Sequence, residues 1–313
     1  MVSWPFSCLL LQPGAELFSA EEEPLEISEA IETLDGSDTI LTALPLDYKV
    51  HGNAPAEADF TENGYSDASI QVTAWHEWVG NAYVSAARIR IADASQLRTA
   101  LANDSMKRAN YVWVTGAKNN AVVAVGGEFL GHNEKTYTVR MGTTLRKKGY
   151  ASRDTLITDA NGDFHIFVGY SNEQRQQLED SGVQIVNLFN FGPALVIDGA
   201  LKYHEGDTIK YSIGYATSRE PRTAIGQIGP LEYLVVVVDG RKVKCPTEDG
   251  GTKEAKGMNI IELGQYMLDQ GCTQAYTLDG GGSAAMYFHG TTYSHPSAKR
   301  GVTDIVYFAT LLG

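Results

Sequence analysis

The stretch Ala275-Tyr-Thr-Leu-Asp-Gly-Gly-Gly-Ser-Ala-Ala-Met-Tyr-Phe288 decides how the rest of the chain is read. Two apolar runs of strand character flank three consecutive glycines, Gly280, Gly281 and Gly282, with Asp279 before them and Ser283 after. A tight hairpin needs one or two residues of positive φ, which Asp-Gly alone supplies. Three glycines cost more backbone entropy than a turn requires. Such a cost is repaid where something approaches the main chain closely, and successive N–H groups in a turn form a concavity for phosphate oxygens. An ordinary Gly-rich hairpin loop has the same composition, so other segments must decide between the two.

At 313 residues, with 43% hydrophobic and 20% charged residues, the chain is that of a globular protein. Its 32 glycines exceed the usual share of about 7%, which suits a turn-rich β-containing fold. The formal charge of −13 argues against nucleic acid or anionic lipid as partners and requires any anionic substrate to meet a local positive pocket. The apolar run at 4–11 lacks a basic flank and is too short to span a bilayer. The three cysteines, Cys8, Cys245 and Cys272, contain no C-x-x-C spacing, which gives a zinc or redox site no support. Cys245 and Cys272 are compatible with a disulfide or with two buried thiols.

Residues 1–66, rich in Glu, Asp, Pro, Asn and Gly beyond the first dozen, read as an irregular arm with at most a short helix near 26–34. Residues 67–313 carry the ordered domain. Two alternating runs, 70–78 and 82–92, predict a long hairpin with His76 at its surface or edge. Asp93 and Gln96 form a capping-box pattern that predicts a helix with Leu97 and Leu101 on one face. Further boxes at Ser171/Gln174 and Asn259/Glu262 predict two more helices, the second with Ile260, Leu263, Met267 and Leu268 as its apolar stripe. Asn161-Gly162, between alternating strands, is a strong hairpin signal, with His165 facing outward on the returning strand. Asp198-Gly199 reads as another turn, and Gly192-Pro193 interrupts a hydrophobic run that therefore cannot be a plain central strand. Strands outnumber helices and seldom alternate with them, so the fold class is α+β: a mixed, largely antiparallel sheet core with few helices in a single domain.

Several polar residues sit at predicted strand ends. Glu128 follows Gly126 and Gly127 at the end of the buried run from Ala121, with His132 on the next loop; Arg222 precedes one strand, Asp239 and Arg241 follow another. A guanidinium clamps phosphate in a planar, bidentate manner that lysine does not copy. The segment 242–257, with Lys242, Lys244, Lys253 and Lys256, is long enough to be a basic flap over a cleft. Asp304 is a candidate supporting acid.

The words Leu278-Asp-Gly-Gly-Gly-Ser283, Phe191-Gly-Pro193 with Leu195-Val-Ile-Asp-Gly199, Pro221-Arg-Thr-Ala-Ile-Gly226 and Val238-Asp-Gly-Arg241 together resemble the phosphodiester glycosidase family, in order, over about 70–312. Thr277 stands where the family signature has Asn, Gly126 replaces another Asn, and Glu128 stands for Asp. The resemblance implies a hydrolase acting on a sugar-1-phosphodiester of the N-acetylglucosamine type, as in bacterial members associated with exopolysaccharide. It implies an extracytoplasmic or cell-surface location and a phosphorylated glycan as substrate. By this match Asp279, Glu128 and Arg222 are the catalytic candidates. Gly126, Gly127, Asn190, Asp239, Arg241, Thr277, Gly280, Gly281, Gly282 and Ser283 are the substrate-binding ones. No cofactor is required; a divalent metal shared by Asp279 and Glu128 is compatible with the pattern, though no ligand spacing demands it. A glycan-binding protein with little turnover and a transferase of exopolysaccharide assembly are the competing readings.

Overall fold

The computed structural model describes residues 31–131, 136–147, 153–209 and 216–313, and Ile31–Gly313 form one compact unit. The apolar run at 4–11, Cys8 and His132 lie outside the described residues. The frame is a nine-stranded sheet. From edge to edge it runs Phe60–Thr61, Gly64–Ser66, Ile70–Val79, Ala82–Ile91, Glu232–Asp239, Arg222–Gly229, Gln274–Leu278, Ala194–Ile197 and Ala200–Leu201, each pair antiparallel. A second sheet of five strands contains Val123–Gly126, Met286–Phe288, Asp304–Phe308 and Leu97–Leu101, and a third contains Thr138–Arg140, Thr155–Asp159 and Ile185–Phe189. Among the described residues there are three α-helices, so the chain is α+β and largely antiparallel.

Alternation along the strands explains the layering. Successive side chains point to opposite faces, and in Glu232–Asp239 this sends Val235 and Val237 to one core and Leu234, Val236 and Val238 to another. The first core is shared with the second and third sheets through Val123, Val125, Phe308, Leu156 and Phe189. The second is closed by the helix Ile260–Asp269, whose Leu263 and Met267 are fully buried. Each such side chain contributes about 1.5–3 kcal/mol. The helix Val112–Lys118 covers the far side of the second sheet, where Leu41 and Leu44 also pack. The stacking is therefore helix, sheet, sheet, helix.

Local signals met different fates. The boxes at Ser171/Gln174 and Asn259/Glu262 head the helices Asn172–Asp180 and Ile260–Asp269, and Asn161-Gly162 turns an antiparallel pair. The Asp93/Gln96 box also forms, but it heads only a 3-10 turn, Ala94–Gln96, and the chain then enters the strand Leu97–Leu101. The predicted helix is thus corrected to a strand, because every one of these residues is buried beside Asp304–Phe308, where pairing outweighs propensity. Nor is 242–257 a flap: Val243–Pro246 and Thr252–Ala255 form a hairpin whose Val243, Cys245 and Ala255 pack on Tyr83 and Trp78. Lys253 caps the Trp78 ring at 4.5 Å. Cys245 and Cys272 are separate buried thiols. The imidazole of His76 is half-buried, stacked on Tyr293 at 4.0 Å, and burial, aided by His295, lowers its pKa to about 4.

Residues 31–66 are fastened by side chains. The buried guanidinium of Arg98 donates to the carbonyls of Pro45, Asp47, Val50 and Ser95 and to the Tyr307 hydroxyl. The described residues contain no helix long and apolar enough to cross a membrane.

The packing of the last helix on the large sheet depends on Gly226, where a Cβ would lie 2.5 Å from Cys272 Sγ, 2.9 Å from Met267 Cε and 3.0 Å from the Gln274 carbonyl. Gly226→Ala is expected to destabilise the fold by about 1–3 kcal/mol, read as a lower midpoint in urea denaturation.

Candidate active site

The strand ends gather where the three sheets meet. Gln274–Leu278 of the large sheet ends at Asp279, whose N–H donates to the Gly127 carbonyl at 2.9 Å, just past the end of Val123–Gly126 in the second sheet. The chain then crosses from the large sheet to Met286–Phe288 of the second through Gly280, Gly281 and Gly282. The triglycine is therefore a crossover between sheets and not the turn of a hairpin. Its glycines are required by what surrounds them. A Cβ at Gly280 would lie 2.8 Å from the Pro221 carbonyl, and at Gly281, whose φ is +60°, it would lie 3.1 Å from Arg241 Nη2. The Gly281 N–H donates to Pro221 O at 2.8 Å and so is not free to join the concavity of N–H groups expected of this turn.

A cleft of about 290 Å³ opens over this crossover. Its lining includes Thr277, Asp279, Gly280, Gly281, Phe129, Phe191, Gly192 and Pro193, together with four arginines, Arg153, Arg222, Arg241 and Arg300. Two carboxylates face them, Asp279 and Glu220. In a chain of net charge −13 this is the local positive pocket that an anionic ligand requires. Arg222 reaches it from a buried position, donating Nε to Met258 O and Nη2 to Ser218 O, and burial draws its pKa down to about 10. Arg241 is held by Glu220 at 2.7 Å. Arg300 lies over the Phe129 ring and donates to Asp279 Oδ2 at 3.3 Å.

Asp279 is 6% exposed. Burial raises its pKa above the usual carboxylate range, and the Asp304 charge adds to this, while Arg300, the neighbouring Ser283 hydroxyl and the Gly280 N–H oppose it. Thr277, two residues earlier on the cleft wall, has a buried Oγ1 without a hydrogen-bond partner. An unpaired buried group costs about 1–3 kcal/mol, so an unsatisfied hydroxyl on the cleft wall marks a place suited to a polar ligand.

Glu128 is next to Asp279 along the backbone, but its carboxylate turns away from the cleft. One oxygen accepts from Arg140 Nη2 at 2.6 Å and the other from the Asn190 N–H. Arg140 donates through Nε and Nη2 to Asp304 Oδ2 at 2.9 and 2.8 Å, and its Nη1 donates to the Val139 and Leu188 carbonyls. Asp304 Oδ1 accepts from the Glu128 N–H at 2.8 Å. All three side chains are within 1% of complete burial. Desolvation raises the pKa values of both carboxyls against the pull of Arg140, and the two carboxylates raise that of the guanidinium despite its burial. Gly127 is needed here because a Cβ would lie 2.7–2.8 Å from the Asp304 carboxyl. Both Glu128 oxygens are thus engaged within the protein, whereas Asp279 lines the cleft.

Of the other residues named from sequence, Gly126 and Gly282 lie behind the cleft wall, against Val302 and against Ala298 and Arg300. Asp239 faces away, toward His295 and Cys245. Sequence reading missed Arg140, Arg153 and Arg300. None of the three carries a signal in the sequence: Arg140 reads as an ordinary charged residue of a strand, and the complete burial of Thr138–Arg140 shows only in the structure.

Removing the central cation leaves two carboxyls buried without compensation. Arg140→Met is expected to cost about 3–5 kcal/mol of stability, measured by urea denaturation, whereas Arg300→Gln at the exposed rim is expected to leave stability nearly unchanged.

A family model for phosphodiester glycosidases matches residues 119–309, which include every residue of the cleft floor described above. The N-acetylglucosamine-1-phosphodiester alpha-N-acetylglucosaminidases of Homo sapiens and Bos taurus are 43% and 34% identical to it over 76 residues, 24% of this chain. These matches span 13% and 12% of the two mammalian proteins, so the chain covers only about an eighth of the relatives' length. A prophage-derived protein of Bacillus subtilis, YomE, is 25% identical over 158 residues, half of this chain and 22% of that protein. The solved catalytic domain of the zebrafish N-acetylglucosamine-1-phosphodiester alpha-N-acetylglucosaminidase shares the fold, with a TM-score of 0.59 at 17% identity over 82% of this chain and 87% of that one. The chain belongs to the phosphodiester glycosidase family.

Proposed function

We propose that the chain hydrolyses a sugar-1-phosphodiester, of the N-acetylglucosamine-1-phosphodiester type, in an extracytoplasmic or exopolysaccharide glycan. The observation that carries this is Asp279, nearly buried, on the floor of a cleft walled by four arginines in an otherwise acidic chain. A phosphodiester presents a single negative charge flanked by a sugar, and the guanidiniums suit the charge that grows on the departing phosphate. Because a phosphate monoester leaves as a weak base, the reaction needs little proton donation. One carboxylate in the cleft is then enough, acting at the anomeric carbon as nucleophile or as base for water. Thr277 Oγ1, unpaired on the cleft wall, is suited to a sugar hydroxyl or phosphate oxygen. Glu128, engaged by Arg140 and Asn190, is a positioning residue that fixes Gly127 and through it Asp279.

Asp279→Asn is expected to lower hydrolysis of a chromogenic sugar phosphodiester by roughly a hundred- to ten-thousandfold; full activity in that variant removes the assignment. Binding of the same compound without turnover by the unaltered protein would favour the glycan-binding reading, and a new glycoside formed with an acceptor sugar would favour transfer.

Asp279 must be ionised to act, so its raised pKa places the acidic limb of the kcat/KM profile above the range of an ordinary aspartate. Arg300 holds that pKa down. Arg300→Gln is therefore expected to move the limb to still higher pH, a shift read directly from pH–rate profiles of the two proteins.

A further inference from the structure

Outside the cleft, a second group of side chains has converging donor atoms. Asp239 ends the strand Glu232–Asp239, and the next turn, with Arg241 and Lys242 both at positive φ, folds the chain back so that Cys245 in Val243–Pro246 returns to it. His295 arrives from the loop after Thr291–Thr292. The ligating atoms of the three lie within 4.8 Å of one another, with His295 Nδ1 3.1 Å and Cys245 Sγ 3.8 Å from Asp239 Oδ2. From these residues we infer a metal site: Asp239, Cys245 and His295 bind one borderline-soft divalent cation of the zinc class.

Three observations carry it. The first is spacing: zinc bonds of about 2.0–2.3 Å in a tetrahedron put ligand atoms about 3.2–3.8 Å apart, close to the separations found. The second is charge. The Asp239 carboxylate is 1% exposed, and its described partners are the His295 N–H, the His295 ring and the Cys245 thiol, none of them a permanent cation. A buried carboxylate is otherwise compensated by a fixed positive group, as Arg140 does for Asp304. A divalent ion held by a carboxylate, a thiolate and a neutral imidazole gives a site of zero net charge. The third is donor type and access. One sulfur, one nitrogen and one oxygen donor suit zinc rather than magnesium or calcium. A water completes such three-ligand zinc sites as the fourth ligand, and the His295 side chain is 34% exposed.

Binding forms a metal–sulfur bond as the Cys245 S–H proton leaves to solvent. His295 binds through a deprotonated Nδ1 with its ring proton on Nε2, so binding to the neutral ring releases one proton per ion, that of the thiol. The site lies two residues from Arg241 on the cleft wall, which assigns the metal a positioning role for that arginine and its hairpin.

The test uses the full chain, purified in reduced form, loaded with ZnCl2 or CoCl2 and dialysed against metal-free buffer. One equivalent of zinc should be retained, and the cobalt form should show a thiolate-to-metal charge-transfer band. Cys245→Ser and His295→Ala should lose both, while Cys8→Ser and Cys272→Ser keep them. Absence of retained metal and of the band in the folded protein, or an unchanged band in Cys245→Ser, overturns the proposal. If Cys245→Ser does not fold, the partly exposed His295 decides: an unchanged band in His295→Ala overturns it equally.

Discussion

A single buried guanidinium holds the candidate site together. Arg140 comes from the third sheet, and its two carboxylate partners, Glu128 and Asp304, from the strand ends of the second. Glu128 then accepts from the Asn190 N–H beyond Ile185–Phe189, and Gly127 receives the Asp279 N–H from the large sheet. Five segments from three sheets are thus fixed by one fully desolvated charge cluster. Taking three ionic groups out of water is expensive and is repaid only when every donor and acceptor is matched. Here every nitrogen of the guanidinium donates, to Asp304 Oδ2, Glu128 Oε2 or the carbonyls of Val139 and Leu188, and its face stacks on Phe189 at 4.3 Å.

The same cluster explains why the two acidic groups nearest the cleft differ so much. Asp279 and Glu128 follow strands that end side by side. Asp279 faces the cleft and an arginine at its rim, whereas Glu128 is locked between Arg140 and a backbone amide. Proximity in the fold therefore does not make them a pair of equivalent carboxylates. One faces the space a ligand would fill, and the other sets the position of the strand end beneath it.

Much of this was legible in the sequence where the governing forces are local. Capping boxes at Ser171 and Asn259 and the turn at Asn161-Gly162 depend on side chains and dihedrals within a few residues. The family words brought Asp279, Arg222, Arg241, Thr277, Gly280 and Gly281 to one cleft. What escaped depends on distant partners. Asp93 caps its turn as its sequence demands, yet Leu97–Leu101 becomes a strand because Asp304–Phe308, two hundred residues away, offers an edge. Arg140 reads as an ordinary strand residue until Glu128 and Asp304 are seen around it. The glycines at 280 and 281 suggest a closely approaching ligand, while in the structure Pro221 and Arg241 occupy the space their side chains would need.

The arginine-walled cleft in a chain of net charge −13 has a kinetic consequence. Far from the surface an approaching anion feels the repulsive whole, and only within roughly one screening length, about 8 Å in physiological salt, does it feel the guanidiniums. Added electrolyte weakens the distant repulsion more than the short-range attraction. Capture of a diffusing phosphodiester should therefore be slowed less by salt than at a cleft set in a cationic protein, and dilute buffer is where the encounter is hardest.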